Sequence, residues 1–332
     1  MKIAYITERD LNSNRVIGSI TRDIRLLEVL KSFSEVDIYF NNPSIYYKYL
    51  YVINNYNSNN KLFKEIDSKN YDIVIISTFP ISPFLNGYKK LSTKKIFYFA
   101  DSSYHFRTQK ISIKYKAVSY LLSFKEKSIL NSEYCAYLGN DEIKHIPKKY
   151  QKNCLTFPFF ININTNYFNN IGKLIIVGDY NFKPNYIMLK NINNIAEKIN
   201  HDIYIYGNNI PKLDYKSNIK IIGYAETLDE IYQDTRALLY GIDYGTGIKN
   251  KVLEAMSYAI PTIGYKEAFT NLDLVDKKNC LIVDSLKDLI NICNSKDLSK
   301  ISNNLHSYTK KNFSLQVITS KIQGIFNDKK NI

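Results

Sequence analysis

Gly245-Thr246-Gly247 sets two glycines around a threonine, and Lys249 and Lys251 follow. Val252-Leu253-Glu254-Ala255-Met256 then reads as a helical run that stops before Pro261. Thr262-Ile263-Gly264 reads as the start of a strand. Glycines let backbone approach a ligand closely. The N–H groups and positive dipole end of a helix start attract negative charge. Loop, helix start and lysines together make an anion site over residues 245–251, with Ile248 inside it. The alternative is lysines that only solvate a helix face, in a chain holding 45 Lys and Arg.

A loop and a helix start need strands to hold them. Short apolar runs fall at residues 3–7, 36–40, 71–77, 95–100 and 135–138. Residues 21–33 (TRDIRLLEVLKSF) place Ile24, Leu27, Val29 and Leu30 as an amphipathic helix. The second half repeats the pattern at 174–177, 203–206, 219–222, 237–240, 261–264 and 281–283, and the first four of these runs end at Gly178, Gly207, Gly223 and Gly241. YDIVIIS and LIIV are nearly continuous apolar runs, as strands covered on both faces require. Strand, glycine, helix, strand is the order of an open parallel sheet, whose ligands sit at the carboxyl ends of the strands. Residues 156–168 (TFPFFININTNYF) read as a linker, and polar residues 299–307 as a spacer before a last helix at 312–328. The expected fold is α/β, with two doubly wound Rossmann-like domains facing each other across a cleft.

The 332 residues fit two domains at roughly 150 residues each. The 45% hydrophobic content allows a sizeable core. No apolar run is long enough to span a bilayer, and the start goes directly into a strand without a signal-peptide core. Cys135, Cys154, Cys280 and Cys293 form no close pair in sequence and read as buried thiols of a reducing cytoplasm. The net charge of +14 points to anionic partners, or to the codon bias of an AT-rich genome. No zinc-finger, cold-shock or RNA-recognition signature is present, so nucleic acid is not an expected partner.

The run Lys251-Val252-Leu253-Glu254-Ala255-Met256-Ser257-Tyr258-Ala259-Ile260-Pro261-Thr262-Ile263 resembles the donor-domain hallmark of nucleotide-sugar glycosyltransferases of the GT-B type, closest to glycosyltransferase family 4. Val177-Gly178 with Lys183-Pro184-Asn185, Tyr206-Gly207 and Gly223-Tyr224 extend the resemblance over about residues 172–285. Ala100-Asp101-Ser102 resembles an element some members carry in the first domain. The departures are specific. The first of two glutamates common in the motif is Thr246, an arginine common before the glycines is Asp243, and the glycine near the helix end is Ala259.

The resemblance implies an N-terminal acceptor-binding domain over 1–160, a donor-binding domain over 169–308, and a helix at 312–328 returning to the first domain. It implies a nucleotide diphosphate sugar as co-substrate, with no cofactor and no metal. Lys249 or Lys251, with Lys183, would neutralise the leaving diphosphate. Glu254 would accept ribose hydroxyls, and Tyr224 would stack on the base near Tyr206 and Gly207. Gly18, at the end of the polar loop of residues 7–19 and opening a helix with Ser19, stands where a glycine loop faces donor phosphates. Asp101 and His105 would bind or deprotonate an acceptor hydroxyl. A lone histidine is more often structural. Residues 107–127 carry Arg107, Lys110, Lys114, Lys116, Lys125 and Lys127 against the single acid Glu126, with Ile111, Tyr115, Val118 and Leu122 at helical spacing. Such a helix either lies on an anionic membrane surface or shows solvent an ordinary basic face.

The expected activity is transfer of a hexose from a UDP- or GDP-sugar to a glycan or lipid-linked glycan, with retention, in bacterial surface polysaccharide synthesis. The expected place is the cytoplasm, peripheral on the inner face of the plasma membrane. The alternatives are a non-catalytic binding or assembly partner and a sugar-nucleotide epimerase.

Overall fold

The computed structural model describes residues 1–11, 18–41, 60–80, 82, 84–109, 113–242, 246–295 and 297–328. The chain divides into two compact units, one of Met1–Phe160 with Leu315–Ile332 and one of Ile161–Ser314.

Among the described residues, the first unit holds a six-stranded sheet of β1 (Lys2–Thr7), β2 (Glu35–Phe40), β3 (Ile73–Ser77), β4 (Lys95–Ala100), β5 (Tyr134–Tyr137) and β6 (Cys154–Thr156). Its order is β2-β1-β3-β4-β5-β6, and every pairing is parallel. β3 and β4 are buried at every residue, which is why Ile73–Ile76 and Ile96–Ala100 run without a charge. β2 lies at the edge, and its Ile38 and Phe40 are exposed. β6 has no counterpart among the strands expected from sequence, because three residues are too short to show a period. Cys135 and Cys154 are register partners across β5 and β6, and all four cysteines are free thiols.

The first helix runs Gly18–Lys31, three residues earlier than its apolar spacing suggests. Ile24 is exposed, not on the core stripe. The buried arc is Ile20, Arg22, Asp23, Leu26, Leu27, Val29 and Leu30, so a polar pair sets the helix face as much as the leucines do. Against it packs the helix Leu315–Asn327, with Ile318, Ile322 and Phe326 buried at intervals of four. Phe326 lies 6.0 Å from the Phe33 ring and 5.9 Å from Phe157.

The second unit holds β7 (Phe168–Asp179), β8 (Ile203–Asn208), β9 (Ile219–Gly223), β10 (Thr235–Tyr240), β11 (Thr262–Gly264) and β12 (Leu281–Ile282). Their order is β12-β11-β10-β7-β8-β9, again with parallel pairings. That is the doubly wound order in which the winding reverses between the first and fourth strands. The sequence reading is corrected at residues 299–307. They are not a spacer but the first half of a helix, Ser299–Phe313, whose Ser302 and Thr309 are buried in line with Leu305 and Phe313. Small polar residues can line a buried stripe when their hydroxyls find carbonyls. Ser302 donates to Ala259 O at 2.7 Å and Thr309 to Leu305 O at 2.8 Å.

Candidate functional site

In the second sheet the reversal lies between β7 and β10, so a ligand crevice is expected beyond their carboxyl ends. β7 ends at Asp179, and the helix Lys183–Ile195 begins four residues on. This helix has no acid in its first turn, carries Pro184 at its start, and opens on exposed Lys183. A cation and a positive helix end therefore coincide at the crevice. Asn185 Nδ2 donates to Asp179 O at 2.9 Å, and a Cβ on Gly178 would meet that same Nδ2 at 2.7 Å. Gly207, the register partner of Gly178, has φ +121°. A Cβ there would lie 1.8 Å from Gly178 O, so β7 and β8 can approach this closely only without a side chain.

Gly245 and Asp243 lie outside the described residues. Beyond them, Gly247 has φ +69° and turns the chain into the helix Asn250–Ser257. Lys249 is buried, and its ammonium donates to Thr246 O at 2.9 Å and Gly247 O at 3.0 Å. It thus holds the loop Thr246-Gly247-Ile248 in shape. Lys251 Nζ lies 3.0 Å from Glu254 Oε2 and 3.2 Å from Oε1. Among the described residues the two motif lysines engage the loop and the glutamate, Lys249 through loop carbonyls and Lys251 through Glu254. Backbone N–H groups and exposed Lys183 add positive potential at this crevice.

Tyr232, missed in the sequence, completes the arrangement around Glu254. Its hydroxyl lies 3.3 Å from Glu254 Oε2 and from Lys251 O. The ring is fully buried and stacks on Tyr258 at 5.1 Å, which stacks on Tyr167 at 5.3 Å. Burial, then the charge of Glu254, hold the Tyr232 hydroxyl well above its ordinary range, so it remains a donor. Ala259 has φ +61°, a left-handed residue just past the helix end, where glycine is the unstrained choice. Tyr224 follows β9 and is 71% exposed. Tyr206 is buried, and its hydroxyl accepts from Lys173 Nζ at 2.9 Å. Its ring packs in the core beside the strand end.

In the first unit Gly18 opens its helix as expected. Asp101 follows β4, exposed, immediately after Ala100 at φ +68°. Such a non-glycine conformation is strained and needs support from its surroundings. The support is two buried carboxylates. Glu142 Oε2 accepts from Ser102 N at 2.8 Å, and Glu126 Oε2 from Ser103 N at 2.8 Å. Tyr137 and Ser102 hydroxyls also donate to Glu126, whose carboxyl burial pushes upward. Glu126 was visible in sequence only as the one acid of a basic segment. Its place on the buried stripe of Ser119, Ser123 and Ile129 explains the exception. His105 is buried, its Nδ1 2.9 Å from Glu142 Oε1 and its ring 4.4 Å from that of His145. Glu142 engages Nδ1, which leaves Nε2 as the ring nitrogen outside that contact.

The helix Ile113–Leu130 turns Val118, Tyr120, Leu121 and Phe124 outward beside exposed Lys116 and Lys127. The Arg107 guanidinium lies 3.9 Å over the Tyr120 ring. Lys110 and Ile111 lie outside the described residues. No helix of the described residues is long and apolar enough to cross a membrane.

Residues 172–294 match the sequence model of the family described as Glycosyl transferases group 1. No curated protein matches the chain. Among solved structures, sucrose-phosphate synthase from Thermosynechococcus elongatus superposes with TM-score 0.72 at 12% identity, covering 98% of each chain. Anabaena Alr3699/HepE in complex with UDP and glucose superposes with TM-score 0.67 at 12% identity, covering 99% of this chain and 100% of that one. The lipopolysaccharide outer core galactosyltransferase WaaB gives TM-score 0.65 at 15% identity, covering 99% and 100%. At these identities the likeness is one of fold, and the fold is GT-B.

Proposed function

We propose, from the premise that residues 172–294 are a group 1 glycosyl transferase domain in a GT-B fold, that the protein transfers a sugar from a nucleotide diphosphate donor. The observation that carries this reading is Glu254, held by Lys251 and Tyr232 one turn into the helix that follows the glycine loop. A carboxylate so fixed can accept hydrogen bonds from ribose hydroxyls. The diphosphate then meets the N–H groups at the start of that helix and Lys183 across the crevice. Charge that develops on the leaving diphosphate is stabilised by groups already in place, the largest single contribution in many such reactions. That the HepE structure contains UDP and glucose supports a UDP-sugar donor. The finer reading is a UDP- or GDP-hexose donor, a glycan or lipid-linked glycan acceptor, retention of configuration, no metal, and a role in surface polysaccharide synthesis. Asp101 and His105 are the acceptor-side candidates.

Thermal unfolding with UDP, GDP, CDP and ADP tests the donor reading. A ligand at about 100 times its Kd adds about 2.7 kcal/mol. One nucleotide should therefore raise the midpoint by several degrees, at about 2–4 °C per kcal/mol. Lys183→Ala should reduce that shift. If no nucleotide shifts the midpoint at millimolar concentration, the reading passes to a non-catalytic assembly partner.

The outward face of the helix Ile113–Leu130 supports a peripheral place on an anionic, cytoplasmic membrane surface. Exposed aromatics beside lysines suit the headgroup boundary. In flotation, the protein should rise with vesicles containing phosphatidylglycerol and not with phosphatidylcholine alone. Phe124→Ser should weaken the association severalfold, at about 0.8 kcal/mol per CH2 buried. Equal flotation with both vesicles would remove this proposal.

A further inference from the structure

The first sheet also reverses its winding, between β1 and β3, and a buried ionic cluster lies at that point. Arg9 stands two residues beyond β1 and is 9% exposed, Arg22 is 4% exposed, and Asp23 is fully buried. Arg9 Nη1 donates to Asp23 Oδ2 at 3.1 Å and to Ser77 Oγ, at the end of β3, at 2.8 Å. Arg22 donates through Nε to Asp23 Oδ1 and through Nη2 to Ser77 Oγ, both at 3.2 Å. Thr7 and Ser77 hydroxyls donate to the same carboxylate. Two guanidinium groups thus converge on one acid. Glu8 turns instead to the hydroxyls of Thr78, Ser82 and Tyr88, and burial pushes its carboxyl upward, toward the neutral form.

Arg9 Nε and Nη2 are buried and have no hydrogen-bond partner among the described residues. A buried charged donor without an acceptor is costly, and native structures rarely leave one unexplained. These two nitrogens share one edge of the guanidinium, and that edge grips a planar carboxylate or a phosphate side-on with two parallel hydrogen bonds. The opposite edge is pinned by Asp23 and Ser77, so the fork is preoriented. Only 6 of the 45 basic residues are arginine. Arginine here marks a position where a fork, and not a point charge, is required. The Phe79 ring lies over the Arg9 guanidinium, 4.5 Å from its carbon, with 47% of its own surface exposed.

We infer that Arg9 seats an oxyanion, phosphate or carboxylate, carried by the sugar acceptor and held side-on by Nε and Nη2. The inference rests on the glycosyltransferase reading for the identity of the carrier. Arg9 lies in the first unit, which the glycosyltransferase reading makes the acceptor-binding one, so the anion is assigned to the acceptor; the same loop, residues 7–19, is the one expected to face donor phosphates, and UDP in the test separates the two sources. The acceptor class is then anionic: a uronic acid, or a glycan or polyol bearing phosphate.

The test is the side-chain Nε–H spectrum of the full chain labelled with 15N-arginine, in which six arginines give six signals at most. Arg9→Lys removes the Arg9 signal. Phe79→Ala moves it by removing the ring above it, an assignment that leaves the ionic cluster intact. Inorganic phosphate and glucuronate are titrated at constant ionic strength, with glucose as the neutral control, in the absence and presence of saturating UDP. The expected result is a saturable shift of the Arg9 signal by both anions, not by glucose, and unchanged by UDP. In thermal unfolding, Arg9→Lys should weaken the phosphate effect at least about 10-fold. An Arg9 signal that neither anion moves would overturn the inference. Loss of the phosphate response under UDP would also overturn it, by giving the fork to the nucleotide. Failure of the donor reading looks different: UDP does not bind, while Arg9 still responds.

Discussion

Glu254→Ala will weaken binding of the nucleoside diphosphate by about 100-fold, the upper range for a hydrogen bond to a charged group. The effect is large because three groups depend on this carboxylate. The ribose loses an ionised acceptor. Lys251 loses its partner at 3.0 Å, and its ammonium becomes free to move. The Tyr232 hydroxyl, fully buried, keeps only Lys251 O at 3.3 Å. Glu254→Gln keeps the shape and one acceptor oxygen, so its loss should be nearer 10-fold. Isothermal titration with UDP reads both values. Dideoxy-UDP, without ribose hydroxyls, should bind wild type and Glu254→Ala alike. If Glu254→Ala binds UDP as tightly as wild type, Glu254 does not hold the ribose.

Gly207→Ala will lower the unfolding midpoint by about 10 °C. Two costs add. The added Cβ would sit 1.8 Å from Gly178 O, in a strand pairing that cannot move without disturbing β7, at the middle of the sheet. Overpacking of this kind costs about 1–3 kcal/mol. The backbone at φ +121° adds strain of about 1–3 kcal/mol for a residue with a side chain. A total near 3 kcal/mol at about 2–4 °C each gives the stated shift. Gly223→Ala separates the two costs. Its φ is +87° but a Cβ there meets nothing within 4 Å, so only strain remains and the midpoint should fall by about half as much. Equal midpoints for Gly207→Ala and wild type would mean that β7 and β8 part at no cost.

The two sheets were legible because most strands carry a dense apolar run, and in the second sheet four of those runs are followed by glycine. β6 was not, since Cys154–Thr156 is too short for a pattern and looks like the linker that follows. The face of the helix Gly18–Lys31 was misread at Ile24 because a sequence ranks residues by apolarity. In the fold, Asp23 is buried with Arg9 and Arg22, and their hydrogen bonds rotate the helix toward the sheet end. The segment around Lys249, Lys251 and Glu254 stood out because its members are neighbours in sequence. What the lysine ammonium groups touch depends on loop geometry, which residue types do not record. Tyr232 and Glu142 were illegible for a different reason. Tyr232 meets Glu254 across 22 residues and Glu142 meets His105 across 37, with strands between them, and neither separation follows a local period.

The unit that holds β1 also holds the helix Leu315–Asn327, with 154 residues of the other unit between Phe160 and Leu315. Order of synthesis and order of completion are therefore reversed. At about 5–20 residues per second, some 10–30 s pass between the emergence of Phe160 and that of the closing helix. Throughout that interval Phe33 and Phe157 have no Phe326 to cover them, while the contiguous stretch Ile161–Ser314 has everything it needs. The half translated first must wait with an open seam for the half translated second. Protease challenge of ribosome-stalled chains ending near residue 314 would show this as a resistant second unit beside a sensitive first one.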